Sequence, residues 1–376
     1  METQKTDEQT NGHSQTNGNN NEKVVLDEWT CRANDVINLR LVQNREDLQN
    51  PNTVFHPTYT HQIYEGADED HRETITGYKG LQINLFHTAA GLRTYISYTF
   101  TEQQPQATDP TEQILQARKR DTAPVIRSLD EFVKIAEEEQ HTFKPVGSQV
   151  HSYKLEQHIN ANQDITYEIY QGWFTDDRIK NYHSKIEPFV LWFIDGSSTL
   201  DNTDTAWEVY FIFENNRTHG ESVYRIVGYS TVYKFYNYPD KIRKRISQVL
   251  ILPPFHKQGH GVHLLETIYN CSKSSQVRDI TVEDPNLDFS RIRDYVDIKN
   301  IVRLKLFPAN PNKPLEQEQI DKIQEQLHLC MKQIKHLYDL WQFKHTNVSD
   351  AKEYKNFRLQ LKKKLYKEYQ DLLGGC

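Results

Sequence analysis

The chain has 376 residues and a net charge of −7, with 52 acidic against 45 basic side chains. That length allows two or three domains with real cores, and the acidic balance argues against direct nucleic-acid binding while suiting a basic partner. No apolar run approaches the roughly 20 residues of a membrane helix, and the first residues have neither the basic start nor the apolar centre of a signal peptide. Four scattered cysteines, Cys31, Cys271, Cys330 and Cys376, fit neither a disulfide framework nor a zinc spacing. A soluble protein of a reducing compartment is expected, with no membrane contact and no metal.

Residues 1–22 contain no large apolar side chain after Met1 and are expected to form a disordered tail. A mixed α/β domain is read over 23–146. Within it, the acidic loop Glu65 to Asp70 reads by itself as a solvated turn. Leu81, Ile83 and Leu85 alternate with Gln82 and Asn84, and Leu92 to Phe100 is β-branched and aromatic. The two predict an antiparallel pair turning at Ala90-Gly91. Thr101 to Thr122 is polar with two prolines and reads as a surface loop or a partly disordered insert. Ser128-Leu129-Asp130-Glu131 matches a capping box ahead of Phe132, Val133, Ile135 and Ala136, predicting a helix from 128 to about 139.

Residues 147–307 are strand-rich. Thr166 to Tyr170 reads as a strand, and Pro188 to Ile194 as a buried helix end or a strand. Trp207 to Glu214 and Tyr224 to Phe235 predict a hairpin joined by Asn215 to Glu221. Ser247 to Leu252 has the pattern of a strand covered on both faces, and Pro253-Pro254 ends its pairing. His256-Lys257-Gln258-Gly259-His260-Gly261 follows, then Val262, Leu265, Ile268 and Tyr269 at helical spacing. Free amides at a helix start, beside glycines, suit a phosphate. The glycines match neither a Walker loop nor a dinucleotide fingerprint; a turn after an interior strand fits the pyrophosphate of coenzyme A better. A second strand then ends in Glu283 and Asp284. Strands followed by a strand–helix–strand unit imply an α/β fold, a twisted mixed central sheet with flanking helices.

A small helical domain is expected over 308–376. Ile320, Ile323, Leu327, Cys330, Ile334, Leu337 and Trp341 make one apolar stripe, predicting a single helix of about seven turns. Ser349-Asp350 caps a second helix with Tyr354, Phe357, Leu361 and Leu365 on its apolar side, and Lys362 to Lys364 reads as a solvated helix end.

The turn from His256 to Gly261 resembles the acyl-CoA-binding motif of the GNAT N-acetyltransferases, which has Gln or Arg first, Gly fourth, and Gly or Ala sixth. Longer strings are similar to the catalytic subunit of type B histone acetyltransferase: LWFID, VGYSTVYKFYNYPDK, RISQVLILPPF, KQGHGVHLLETIY and DITVEDP in this order, with HPTYTHQIY and GYKGL before them and SDAKEYKNFRLQLKKKL after. The resemblance spans roughly residues 24 to 367 and implies a GNAT fold. It implies acetyl-CoA as co-substrate, held by Val249, Leu250 and Ile251 and by His256, Lys257, Gln258, Gly259, His260, Gly261 and Val262. It makes Glu283 the general base, followed by Asp284, with Asp195 assisting. Histone contacts fall on Asp68, Glu69 and Asp70 and on Tyr233, Lys234 and Phe235, with Trp207 beside the peptide. The implied activity is acetyl transfer to lysines on the tail of newly synthesised histone H4, by direct attack in a ternary complex. A WD-repeat histone chaperone subunit is the implied partner, in cytoplasm and nucleus.

Elementary chemistry asks for such a base. With an ordinary lysine pKa of about 10.4, roughly one amine in a thousand or fewer is neutral at pH 7. A carboxylate can take the proton if burial beside other carboxylates raises its pKa, and Glu283, Asp284 and Asp195 are expected to form that cluster. Cys271 is expected to pack rather than attack. Two positions depart from the family: His256 stands where Gln or Arg is usual, and Asp195 where Glu is usual. They leave a second reading, a catalytically weak GNAT-fold histone-binding assembly module.

Overall fold

The computed structural model describes residues 26–64, 73–118, 124–161, 164–218, 220–311 and 313–373. The tail 1–22 and the acidic-loop residues Asp68, Glu69 and Asp70 lie outside them.

Strands β1 (Ile37–Val42), β2 (Val54–Phe55), β3 (Gln82–Thr88) and β4 (Thr94–Thr99) form a sheet in the order β2-β1-β3-β4. β3 and β4 are the antiparallel pair expected from their alternation. β1 joins β3 in parallel, Leu39 opposite Leu85, a long-range pairing that no local pattern announces. Helix α1 (Leu129–Thr142) begins where the Ser128 hydroxyl accepts the Glu131 amide. It packs Phe132, Val133 and Ala136 against Val42 and Phe86. The polar stretch before it is not all loop: Glu112–Ala117 is helical, with Ile114 its one fully buried anchor, too little apolar content to show a period.

The central sheet has six strands in sequential order: β5 (Ser148–Tyr153), β6 (Ile165–Trp173), β7 (Trp207–Thr218), β8 (Glu221–Asn237), β9 (Lys241–Ile251) and β10 (Val277–Val282). All neighbours are antiparallel except β9 and β10. The β7–β8 hairpin outruns the sequence pattern because Asn215 to Thr218 still pair with Tyr224 to Glu221; ladder hydrogen bonds need no apolar side chain. Pro188 to Ile194 resolves as helical, a 3₁₀ turn at Glu187–Phe189 leading into Val190–Phe193. Helix α2 (Asp177–Ile186) covers one face, Tyr182 meeting Phe211 edge-on at 5.0 Å. Helix α3 (His260–Cys271) covers the other, His263 stacking on Tyr153 at 3.7 Å.

After α4 (Leu287–Arg303), the expected seven-turn helix is two helices, α5 (Gln317–Leu327) and α6 (Met331–His345). His328, between them, has φ of 53°. Its carbonyl accepts the Ile280 amide at 2.7 Å, and Leu329 bridges to Ile280 in parallel. The break therefore covers the outer edge of β10, whose backbone groups would otherwise be unpaired. The apolar spacing continues through it because Ile320, Ile323, Ile334 and Leu337 all face the core that the sheet shares. Helix α7 (Ala351–Leu373) starts at Asp350, which accepts the Lys352 and Glu353 amides, and leans on α6 through Phe343 and Phe357.

Leu329 is fully buried. Leu329→Ala should lower the unfolding free energy by about 2–5 kcal/mol, read from urea denaturation; a loss below about 1 kcal/mol would show that this segment does not close the edge.

Candidate active site

The site is built on an irregularity of β9. Its pairing with β8 runs from Lys241 to Ile251, but its pairing with β10 stops at Ile246 opposite Val282, closed by the Glu283 amide on the Ile246 carbonyl at 2.9 Å. Ser247 to Ile251 thus have a strand neighbour on one side only. At the same place β9 carries an extra residue: Val249 lies opposite Ser230, yet Ile246 lies opposite Val232, a β-bulge. The bulge exchanges the faces. Arg245 is opposite Tyr233 and Leu250 opposite Tyr229, so odd residues before the bulge share a face with even residues after it. Lys244 and Ile246 are buried toward α3, Gln248 and Leu250 toward α2, which makes this a strand covered on both faces.

Backbone direction follows the same logic. The Gln248 amide bonds the Thr231 hydroxyl at 3.1 Å and the Leu252 amide the Val227 carbonyl at 2.9 Å. Even residues therefore turn their backbone to β8, and Val249 and Ile251 turn theirs to the open side. Leu250, between them, is turned inward.

The glycine turn closes over this edge. Lys257 and Gly259 have φ of 59° and 94°, and the Gly259 carbonyl accepts the Val262 amide in the first turn of α3 at 3.0 Å. Space beside Gly259 is open, so its left-handed backbone, not clearance, calls for glycine. His256 Nε2 lies 2.6 Å from the Ile251 carbonyl, and the Gln258 side-chain amide donates to the Pro254 carbonyl at 3.1 Å. His260 is a packed ring, its Nδ1 2.7 Å from the Tyr153 hydroxyl. Burial, with lesser contributions from His263 and His158, pushes its pKa down to about 4. Lys257, Gly261 and Val262 complete the turn and the helix start. A half-open strand edge running to a helix N-terminus suits a long phosphorylated group.

Glu283 follows β10 directly. Its Oε2 accepts the Ser247 hydroxyl at 2.6 Å, and Arg245 Nη1 lies 4.0 Å from Oε1. The Arg245 guanidinium sits 4.6 Å over the Phe235 ring, Phe235 lies 4.5 Å from Tyr233, and Tyr233 meets Trp207 edge-on at 4.8 Å. The structure thus joins Trp207, Tyr233, Phe235 and Glu283 in one strip and adds Arg245 and Ser247, which the sequence reading left unassigned. No local signal in this stretch of charged and polar residues singled out either side chain.

Other candidates lie elsewhere. Lys234 is on the α3 face, 4.0 Å from Glu208 and 6.0 Å from the Trp173 ring. Asp195 pairs with His61, Oδ1 to Nε2 at 3.3 Å. The segment carrying His61 docks on the Asp195 loop, the Thr58 and Tyr59 amides reaching the Trp192 carbonyl at 2.9 and 3.0 Å. That loop is tied to β9 by the Gln248 side-chain amide on the Ser198 carbonyl at 2.8 Å. The side chains of Glu283 and Asp195 are 46% and 68% exposed, and Asp284 is exposed with φ of 31°. A buried carboxylate cluster is therefore not what surrounds Glu283. Lying past the end of β10, it has a hydroxyl and a guanidinium for neighbours.

A buried carboxylate, Glu208, lies on the α3 face. It is 1% exposed and accepts from Lys244 at 3.0 Å, from Gln171 at 2.5 Å and from the Tyr210 phenol. Burial, and then the charge of Glu208, pushes the Cys271 thiol up, away from a reactive thiolate.

The family described as "Histone acetyl transferase HAT1 N-terminus" matches residues 29–195. A histone acetyltransferase type B catalytic subunit of Dictyostelium discoideum is 36% identical over 366 residues, covering 90% of this chain and 76% of the relative. The chain belongs to that family. The type B catalytic subunit of Homo sapiens is 33% identical over 350 residues, covering 92% of this chain and 82% of the relative. Among solved structures, a glucosamine-6-phosphate N-acetyltransferase from Arabidopsis thaliana shares 14% identity over 35% of this chain and 89% of that one, with a TM-score of 0.25; at that level it adds nothing to the sequence relationship. The family is one of acetyltransferase enzymes, and the twisted mixed sheet with flanking helices is the α/β architecture expected from the sequence.

Glu208→Leu should cost about 3–5 kcal/mol by stranding Lys244 in the interior. Adding Lys244→Met should recover most of it; a double variant as unstable as the single one would show that the pair does not act as a unit. Acid should also weaken the fold. The folded pKa values of His260 and His183, about 4 and about 3 and both lowered mainly by burial, lie below the unfolded value of about 6.5. The unfolded chain then binds more protons, so their stabilisation is complete above about pH 6.5 and lost as pH falls to about 4 for His260 and about 3 for His183. The urea midpoint should drop across that window, less steeply in His260→Gln; an unchanged slope would contradict a neutral buried His260.

Proposed function

We propose that this protein transfers the acetyl group of acetyl-CoA to lysine ε-amines on the N-terminal tail of newly synthesised histone H4, by direct attack in a ternary complex. One observation carries the reading: Glu283 lies where β9 and β10 part, between the aromatic strip and the open edge of β9. Family membership supports a histone as substrate. The sequence resemblance supports the H4 tail, a WD-repeat histone chaperone subunit as partner, and residence in cytoplasm and nucleus.

Acetyl-CoA, when bound, supplies an activated carbonyl for the amine. The outward backbone groups of Val249 and Ile251 suit its amide-bearing arm, and the start of α3 from Gly259 to Val262 suits its pyrophosphate. Glu283 takes a proton from the substrate ammonium; the N–H bond breaks, an O–H bond forms, and the electron pair stays on nitrogen. Trp207, Tyr233 and Phe235 pack along the lysine stem. Asp195 and Asp284 add negative potential that attracts the cation, and Asp68, Glu69 and Asp70 are read as tail contacts. Lys234 contributes to this wall through its backbone, its side chain being engaged near Glu208. The catalytic unit is assigned to 147–307, flanked by 23–146 and 308–376.

Purified chain, acetyl-CoA and an H4 tail peptide test the reading. Wild type should acetylate the peptide, and Glu283→Gln should lower kcat by about 10²–10⁴-fold. No acetylation by wild type would favour the assembly module, and equal rates would remove Glu283 as the base.

A further inference from the structure

We infer that Ser247 is a positioning residue that pins one oxygen of the Glu283 carboxylate and leaves the other, Oε1, as the atom that receives the substrate proton. This rests on Glu283 being the base. A glutamate at a strand end, with three rotatable side-chain bonds and 46% of its side chain exposed, has no packing to hold it. A base must be held to within about half an ångström to work. Two contacts supply the constraint. The Glu283 amide on the Ile246 carbonyl at 2.9 Å fixes the backbone, and the Ser247 hydroxyl on Oε2 at 2.6 Å fixes the carboxylate. That second distance is in the range of charge-assisted O–H···O⁻ bonds.

Both contacts come from adjacent residues of β9, at the bulge. Ser247 is the first residue beyond the last pair with β10, Ile246 opposite Val282. Its hydroxyl therefore faces the gap that the parting strands open, where Glu283 emerges. Arg245 does something different. At 4.0 Å its Nη1 is too far from Oε1 to be a hydrogen-bond donor, and the face of Phe235 holds the guanidinium at 4.6 Å. Oε1 thus keeps its lone pairs beside the aromatic strip along which the lysine arrives. In the proton transfer the Ser247 hydroxyl keeps its own proton. The lysine N–H breaks, the Oε1–H forms, and the carboxylate becomes a carboxylic acid still oriented through Oε2.

Steady-state kinetics of the full chain with acetyl-CoA and the H4 tail peptide test this with Ser247→Ala and Ser247→Thr. Ser247→Ala should lower kcat by about 10–100-fold, with both KM values within about twofold, and Ser247→Thr, which keeps the hydroxyl, should recover most of the loss. In a Glu283→Gln background Ser247→Ala should cost almost nothing more, because the two act as a unit. A loss carried by either KM, or one that adds to that of Glu283→Gln, would overturn the positioning role. If Glu283→Gln is as active as wild type, the reading of the base fails and this inference with it. If Glu283→Gln is inactive while Ser247→Ala is unimpaired, the inference alone fails.

Discussion

Everything in the site follows from where backbone hydrogen bonds stop. Buried N–H and C=O groups must find partners, and β9 satisfies this along its whole length with β8 but only to Ile246 with β10. The extra residue of the bulge makes the parting possible, because it turns the remaining backbone of Val249 and Ile251 toward a gap instead of a strand. His256 engages one of the freed acceptors, the Ile251 carbonyl. His328 and Leu329 cover the far edge of β10 at Ile280, and the gap opens on the side facing β9.

The bulge also sorts the charges. On the α3 face Glu208, Lys244 and Lys234 sit close together, and Glu208 and Lys244 are buried. Such a pair adds little net stability against an apolar alternative, yet breaking it leaves an uncompensated buried charge. On the α2 face Arg245 and Glu283 are half exposed and 4.0 Å apart. Their solvent contact keeps the pair weak and the electrostatic cost of separating it low. One carboxylate is buried among the central strands and the other lies half exposed at their parting.

Distant segments converge on the same face. The stretch Thr58 to Gln62 holds the loop from Trp192 to Ser198 by backbone and side-chain hydrogen bonds, and that loop reaches β9 through Gln248. His61 faces Asp195 across this contact. The strings HPTYTHQIY and LWFID, far apart in the chain, are therefore two sides of one interface that brings a carboxylate to the α2 side of β9.

Local order was legible wherever it rests on local physics. The alternation of Leu81, Ile83 and Leu85, the Ser128 cap and the β7–β8 hairpin all follow from side-chain period, capping chemistry or turn chemistry within a few residues. The strings around Glu283 were enough to point to the family. Three features were decided only by tertiary structure. The stripe from Ile320 to Trp341 reads as one helix, since an apolar spacing cannot reveal that His328 gives its carbonyl to a strand edge at Ile280. The sides taken by Tyr233 and Lys234 were set by strand alternation, but their alignment with Arg245 depended on which residue the bulge skips. The surroundings of Glu283 and Asp195 were expected to be each other; the fold gives one Ser247 and Arg245, and the other His61. Period and propensity act over a few residues, whereas a bulge, a strand's last pair and the partner of an exposed carboxylate are fixed by which distant segments pack together.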